Sequence, residues 1–288
     1  MNGLTTIKEI VEPTFISGYI EGEQPGSLLI TAEVEEGKSY LVSHYSSLPG
    51  VAYLSDATAY GIVKSYYQEL ENGNLKHLAF PEFIRPLERQ KDTAASLVAF
   101  LAELMEEGVK EIRTFATSFQ LPRPVKAGVI ACIAKGNLRW RERYWNETGF
   151  LSRSLVVSYS YSAQTEEEVR KSIMKRSPST AAPLLLPTQC KVELPEKIAG
   201  EIAKLAKPLA QALYPPLHGF RMQKHLQRLA MVSALRGSRA KVEDEDFEKI
   251  RDMSRYFNLQ YNQIQKERRC QNAYVEAATG RVERVACA

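Results

Sequence analysis

The residues best suited to chemistry lie in one stretch, Ala32-Glu33-Val34-Glu35-Glu36-Gly37-Lys38-Ser39. The apolar run Leu28-Leu29-Ile30 before it predicts a buried strand, and an apolar helical pattern opens at Lys38. A strand, a short loop and a helix opening on Gly-Lys-Ser together form a phosphate-binding arrangement. In it the loop amides and the helix N-terminus face anionic oxygens. Lys38 reaches the outer phosphates, and the Ser39 hydroxyl sits on Mg2+. Ala32 opens the motif where glycine is usual, and Gly37 precedes the lysine, with Tyr40 just beyond Ser39. Glu33, Glu35 and Glu36 put three carboxylates beside the expected phosphates, and like charges repel unless these side chains point to solvent. An ordinary strand-to-helix turn is the competing reading of the same residues.

The elements that must position this stretch follow the order of a layered α/β protein. Short β segments are expected at Val51–Leu54, Leu75–Phe80, Glu111–Gln120, Val125–Ala134 and Leu155–Tyr161. Helical spacing fills Tyr40–Ser47, Ile62–Leu70 and about Thr93–Glu107, where Leu97, Phe100, Leu101, Leu104 and Met105 share a face. Strands alternating with helices predict a parallel sheet sandwiched by helices. Residues 1–27 are polar and strand-prone, broken by Pro13, Gly18, Gly22, Pro25 and Gly26, and are expected to be an N-terminal extension. The core is expected over 28–162, a charged helix and linker over 163–191, an all-helical module over 192–262 and a frayed tail over 263–288.

A chain of 288 residues, 44% hydrophobic and 25% charged, has the composition of a soluble globular protein. The net charge of +4 permits nucleic-acid contact without arguing for it. Cys132, Cys190, Cys270 and Cys287 are scattered, with no paired spacing and no histidine near enough for a zinc site, so reduced thiols are expected. His44, His77, His218 and His225 are unrelated in spacing and suggest no triad or metal site. No apolar run approaches the ~20 residues that span a bilayer, and no leader pattern opens the chain. The expectation is a cytoplasmic protein without a membrane partner.

Further along the chain stand Pro81-Glu82, then Lys135-Gly136-Asn137 after an apolar strand, then Phe150-Leu151-Ser152-Arg153. The helical part carries Gly219-Phe220-Arg221-Met222-Gln223-Lys224-His225 and Val242-Glu243-Asp244-Glu245-Asp246-Phe247. In this order, with the Gly-Lys-Ser loop first, the chain resembles the AAA+ ATPases over about residues 28–257. It is most similar to the branch of minichromosome maintenance helicases and their relatives in archaea, phages and mobile elements. The resemblance implies a P-loop ATPase core followed by a helical lid, ATP and Mg2+ as cofactors, and a homo-oligomeric ring, a hexamer being one such size, acting on DNA. It implies that Ala32, Gly37, Lys38, Ser39 and Tyr40 hold nucleotide and that Ser39 and Glu82 hold the metal. Glu82 would also activate water, and Asn137 would orient it. Arg153 would be the arginine finger given to a neighbouring subunit, and Arg221 would sense the γ-phosphate. The family pairs two acids where this chain has Pro81-Glu82, so a hydrolysis-deficient nucleotide-binding or assembly protein of the same fold is the alternative.

Three smaller readings remain. Asp56, at the end of a strand, is a ligand-facing acid or an ordinary turn residue. Arg139-Trp140-Arg141-Glu142-Arg143-Tyr144-Trp145 interleaves cations with aromatics. Either Trp140 and Tyr144 pack at i, i+4 against the sheet or a subunit, or the stretch stacks bases. By family analogy alone, Arg123 and Lys126, near an expected hairpin tip, are alternative nucleic-acid contacts.

Overall fold

The computed structural model of the chain describes residues 4–113, 118–175, 183–212 and 216–257. The expected tail, the middle of the linker and the last residue of the helix expected to end at Leu213 lie outside these residues. The strands are β1 (Leu28–Ala32), β2 (Val51–Tyr53), β3 (His77–Phe80), β4 (Val109–Arg113), β5 (Ser118–Val125), β6 (Gly128–Ala134) and β7 (Leu155–Ser158). The helices are α1 (Thr5–Ile16), α2 (Lys38–Ser43), α3 (Ala59–Glu71), α4 (Ile84–Leu87) and α5 (Lys91–Met105). They continue with α6 (Lys135–Glu147), α7 (Ala163–Met174), α8 (Glu196–Gln211), α9 (Phe220–Arg236) and α10 (Asp244–Met253).

Five strands form one parallel sheet in the order β2-β3-β6-β1-β7, and β4 and β5 form a separate antiparallel ribbon. All five residues of β1 are buried, as a strand with neighbours on both edges and helices on both faces must be. Successive side chains point to opposite faces. Leu28, Ile30 and Ala32 therefore join the core under α1, α2, α8 and α9, while Leu29 joins the core under α3, α5 and α6. The register sets Ala32 against Ala134 of β6 and Leu28 against Leu155 of β7. The α/β expectation holds: the sheet is parallel and flanked by helices.

Residues 1–27 behave differently from the strand-prone extension expected of them. Ile7, Ile10, Val11 and Phe15 lie on one face of α1 and are buried in the main core. Their i, i+3, i+4, i+8 spacing is helical, and it outweighs the β preference of the branched residues because burial of that stripe stabilises the helix. Pro13 stands within α1. Among the C-terminal elements, α9 packs on α1, α8 and α10. The hairpin also differs from expectation. Its strands are β4 and β5, while Gly128–Ala134 leaves it to become a central strand of the main sheet. Arg123 and Lys126 therefore lie at the base of the ribbon, where β5 hands over to β6, and not at its tip.

Two fully buried histidines punctuate this core. His77 begins β3 and packs edge-on against Phe15, with ring centroids 5.6 Å apart. Burial pushes its pKa down to about 3, against weak pulls from the carbonyls of Gly26 and Thr14. His225 on α9 is likewise pushed down to about 3, by burial first and then by the Arg228 charge. Both rings are neutral in the folded protein and charge readily only when unfolded. The unfolded chain therefore binds more protons between pH ~6.5 and ~3, and stability falls as pH falls through that window. Each histidine contributes a slope of up to ~1.4 kcal/mol per pH unit. Urea midpoints at pH 7.5, 6.5 and 5.5 are expected to be flat above pH 7 and to drop below it. A midpoint that held steady to pH 5 would contradict the buried neutral rings.

Candidate functional site

The loop from Glu33 to Gly37 joins the C-terminal end of β1 to α2. Ala32 is buried, and the chain must turn at once because Glu33, Val34 and Glu35 are exposed. Glu35 (φ 68°) and Gly37 (φ 73°) both take the left-handed backbone region. Gly37 has a second reason to be glycine: a Cβ there would stand 2.6 Å from the Tyr161 hydroxyl.

The three glutamates separate into two roles. Glu33 and Glu35 are exposed to solvent. Glu36 turns back onto the protein. Its carboxylate accepts hydrogen bonds from the backbone N–H of Glu33 at 2.6 Å and of Tyr161 at 2.9 Å. The Tyr159 hydroxyl donates to the Glu36 carbonyl at 2.7 Å. Glu36 thus fastens the loop to the chain leaving β7. Glu33 and Glu35 reach solvent, whereas the Glu36 carboxylate occupies the Glu33 amide, so an anion at that amide would have to displace it.

Lys38, half-buried, donates from Nζ to the Glu33 carbonyl at 2.5 Å. Burial lowers its pKa, and the nearby Glu36 and Glu33 carboxylates oppose the shift. The Ser39 hydroxyl donates to the Pro81 carbonyl at the end of β3, 2.7 Å away. Ser39, Tyr40, Tyr53, Ser55, Glu82 and Arg85 line one hollow of about 310 Å³. In it Glu82 pairs with Arg85 at 2.6 Å. Asn137 lies in the first turn of α6, after the C-terminal end of β6, so it stands at the same end of the sheet. Its carbonyl accepts from Arg141 at 3.2 Å, and Lys135 beside it reaches Ser160 at 2.8 Å. Five of the expected loop residues, with Glu82 and Asn137, therefore gather at one end of three adjacent strands, β3, β6 and β1. Ser39 and Glu82 offer two oxygens to a cation. Mg2+ characteristically takes few protein ligands and fills its octahedron with water and phosphate, so this pair fits.

Arg153 and Arg221 are placed elsewhere. Arg153 ends a 3-10 turn, Leu151–Arg153, just before the N-terminal end of β7. Since β7 runs parallel to β1, this is the opposite end of the sheet from Lys38. Five residues of β1 at ~3.3 Å each put the two ends roughly 15 Å apart. Arg221, in the first turn of α9, meets Arg153 there. Both arginines pair with Glu106, at 3.0 Å from Arg153 and 2.5 Å from Arg221, and Arg153 also reaches Glu107 at 2.8 Å. Arg221 further donates to the Ser152 hydroxyl at 2.8 Å. The two arginines hold the Glu106 carboxyl below its ordinary pKa against the desolvation that would raise it. Sequence reasoning missed Glu106, because nothing about a glutamate just past a helix end signals a partner 115 residues on.

The remaining candidates resolve individually. Asp56 forms a two-pronged ion pair with Arg89, at 3.0 and 2.6 Å, and is the turn residue of that alternative. Trp140 is 88% exposed and Tyr144 is 55% exposed, so neither packs on the sheet. The face of α6 that does so carries Leu138 and Trp145, and Trp145 packs at a tilt against Phe83 and Phe150. Among the described residues no cluster of histidine, cysteine and acidic groups is fit to hold a metal, and no helix is long and apolar enough to cross a membrane.

Gly37→Ala is expected to cost roughly 1–2 kcal/mol from the left-handed backbone alone, and more from the Tyr161 clash. Adding Tyr161→Phe is expected to recover the clash but not the backbone strain. Urea unfolding of the single and double variants measures both parts; an unchanged midpoint in Gly37→Ala would contradict the loop conformation.

The chain matches no protein-family model and no curated protein at a significant level.

Proposed function

We propose that this protein binds ATP as its magnesium complex at the loop Glu33–Ser39 and hydrolyses it within a homo-oligomer of AAA+ type that acts on DNA. One observation carries the reading: Ser39, in the first turn of α2, bonds the Pro81 carbonyl at the end of β3 and lines one hollow with Glu82, while β6 lies between β1 and β3. That arrangement sets a phosphate-binding loop beside an acid and, on the intervening strand, beside Asn137. Bound Mg2+ would neutralise charge developing on the phosphates. The residues of the chain do the rest. The loop amides and Lys38 hold the phosphate oxygens, Ser39 and Glu82 face the cation, and Asn137 is within the same end of the sheet to orient water.

Arg153 and Arg221 stand roughly a strand's length from that loop by the same rise per residue, so they serve a phosphate bound by a neighbouring copy. A head-to-tail contact, loop end to arginine end, closes into a ring when its rotation permits. Exposed apolar side chains support contacts at both ends: Val34 (74%) and Tyr40 (50%) by the loop, and Phe220 (71%) by Arg221. Beside Phe220 lies a mainly apolar hollow of about 360 Å³. In a ring the neighbour's γ-phosphate would compete with Glu106 and Glu107 for the arginine heads.

A second reading, nucleotide binding without turnover, rests on a specific observation. Proline occupies the place of the second acid, and the remaining acid, Glu82, is already paired with Arg85.

Melting curves separate these readings. Mg-ATP is expected to raise the melting temperature by several degrees, and Lys38→Ala to abolish the rise, because a ligand binding only the native state stabilises it. Glu82→Gln is expected to keep the rise and lose phosphate release. An equal rise in Lys38→Ala would overturn the site. A rise without any turnover in the wild-type chain would select the second reading.

A further inference from the structure

A second charged site lies at the arginine end of the sheet. The turn before β1, the base of the β4–β5 ribbon and the middle of α9 enclose a groove of about 670 Å³. Its lining carries five cationic side chains, Lys76, Arg123, Lys126, Lys224 and Arg228, against one carboxylate, Glu23. They come from three separate parts of the chain, so no local sequence bias accounts for the concentration. Among the described residues Lys126 donates to the Gln24 amide oxygen, at 3.4 Å. Among the described residues none of Lys76, Arg123, Lys126 and Lys224 forms a salt bridge.

Arg228 makes the groove more than a solvated basic surface. Its side chain is 5% exposed, and its Nε, buried, makes no hydrogen bond. The Glu23 carboxylate stands 3.5 Å from that Nε, beyond good hydrogen-bond geometry. The other close polar neighbour is His225 Nδ1, at 3.4 Å from an Arg228 terminal nitrogen, on a ring that stays neutral. A guanidinium keeps its charge wherever it is buried. A buried charge is costly unless its acceptors are complete, and here Glu23, with Glu106 further off, supplies the opposing charge while the Nε hydrogen bond is left unmade. The acceptor this site lacks is an anion entering from the groove.

We propose that this groove binds phosphate groups in series, with Arg228 at its floor and Lys76, Arg123, Lys126 and Lys224 along its walls. The lining holds no aromatic side chain on which a base could stack. Recognition is therefore of phosphate oxygens, whether in a condensed polyphosphate or in the backbone of a nucleic-acid strand. The site is separate from the loop at Lys38 and does not depend on nucleotide binding there.

The test uses the full chain with two probes, sodium tripolyphosphate by calorimetry and a labelled 12-nucleotide thymidine strand by anisotropy. The double variant Arg123→Glu/Lys224→Glu changes two exposed side chains, and its melting curve reports folding. Its milder counterpart is Arg123→Ala/Lys224→Ala. Binding of the strand is expected to weaken more than tenfold in the charge-reversed variant, less in the alanine variant, and not at all in Lys38→Ala; for tripolyphosphate, which the loop at Lys38 would also hold, the same comparison is made on the Lys38→Ala background. Affinity for the strand is expected to fall with salt by about 0.7 in log–log slope for each phosphate engaged. Tripolyphosphate binding alone, on that background, identifies a free polyphosphate ligand; binding of both identifies the strand backbone as an occupant. The proposal is overturned if neither probe binds. It is equally overturned if folded charge-reversed protein binds as well as its parent, or if Lys38→Ala abolishes binding.

Discussion

The complete burial of β1 constrains everything else in this molecule. A strand with neighbours on both edges and helices on both faces leaves no backbone polar group facing water, so its amides and carbonyls are taken by β6 and β7. The chain can meet solvent only where the strand stops. It stops at Ala32, and the next residues are exposed glutamates. The turn that follows is tight enough to need positive φ at Glu35 and Gly37. A loop compressed in this way bunches its amides, which is the physical requirement for holding an anion. The site is a consequence of how abruptly a buried strand is made to end.

The same parallel sheet separates two kinds of charge. At its C-terminal end Lys38 and Lys135 stand among carboxylates, with Glu36 bound internally and Glu82 paired to Arg85. At its N-terminal end cations predominate. Arg153 and Arg221 share Glu106, and Arg228 lies under the basic groove. The loop end thus carries exposed acids and the opposite end arginines, so the two ends differ in the sign of their charge. The gathering of arginines explains why Glu106 sits where it does. Two guanidinium groups brought together without a shared carboxylate would repel, and the buried His225 beside them stays neutral and adds no third charge.

Much of this was legible in the sequence where burial and local spacing agree. The Leu28–Ile30 strand, the apolar face of α5 and the opening of a helix at Lys38 match their reading because each signal is local. The first helix was misread although its stripe is helical, since threonine, isoleucine and valine also favour strands and Pro13 argued for a break. In α6 the i, i+4 pair Trp140 and Tyr144 was visible, but spacing cannot tell which face meets the sheet. Leu138 and Trp145, seven residues apart, lie on the buried face. The ribbon was cut at the wrong place because Gly128–Ala134 reads equally as a hairpin arm and as a buried central strand. The arginine end was the least legible part. Glu106, Arg153 and Arg221 meet only through the tertiary fold, and no sequence period encodes contacts across about a hundred residues.

Pro81 shows how one substitution in a motif can be structurally sound and chemically consequential. Proline lacks an amide hydrogen, so it cannot extend the ladder of β3, and the strand ends at Phe80. Its carbonyl remains, and it accepts the Ser39 hydroxyl. A hydroxyl has one proton and two lone pairs. By donating to Pro81, which lines the same hollow, Ser39 commits its proton to that carbonyl. The bond ties the first turn of α2 to the end of β3 and leaves the Ser39 oxygen lone pairs uncommitted. On the function proposed above, Glu82 would have to leave Arg85 before it could face a cation or a water, so that ion pair bears on turnover more than on binding.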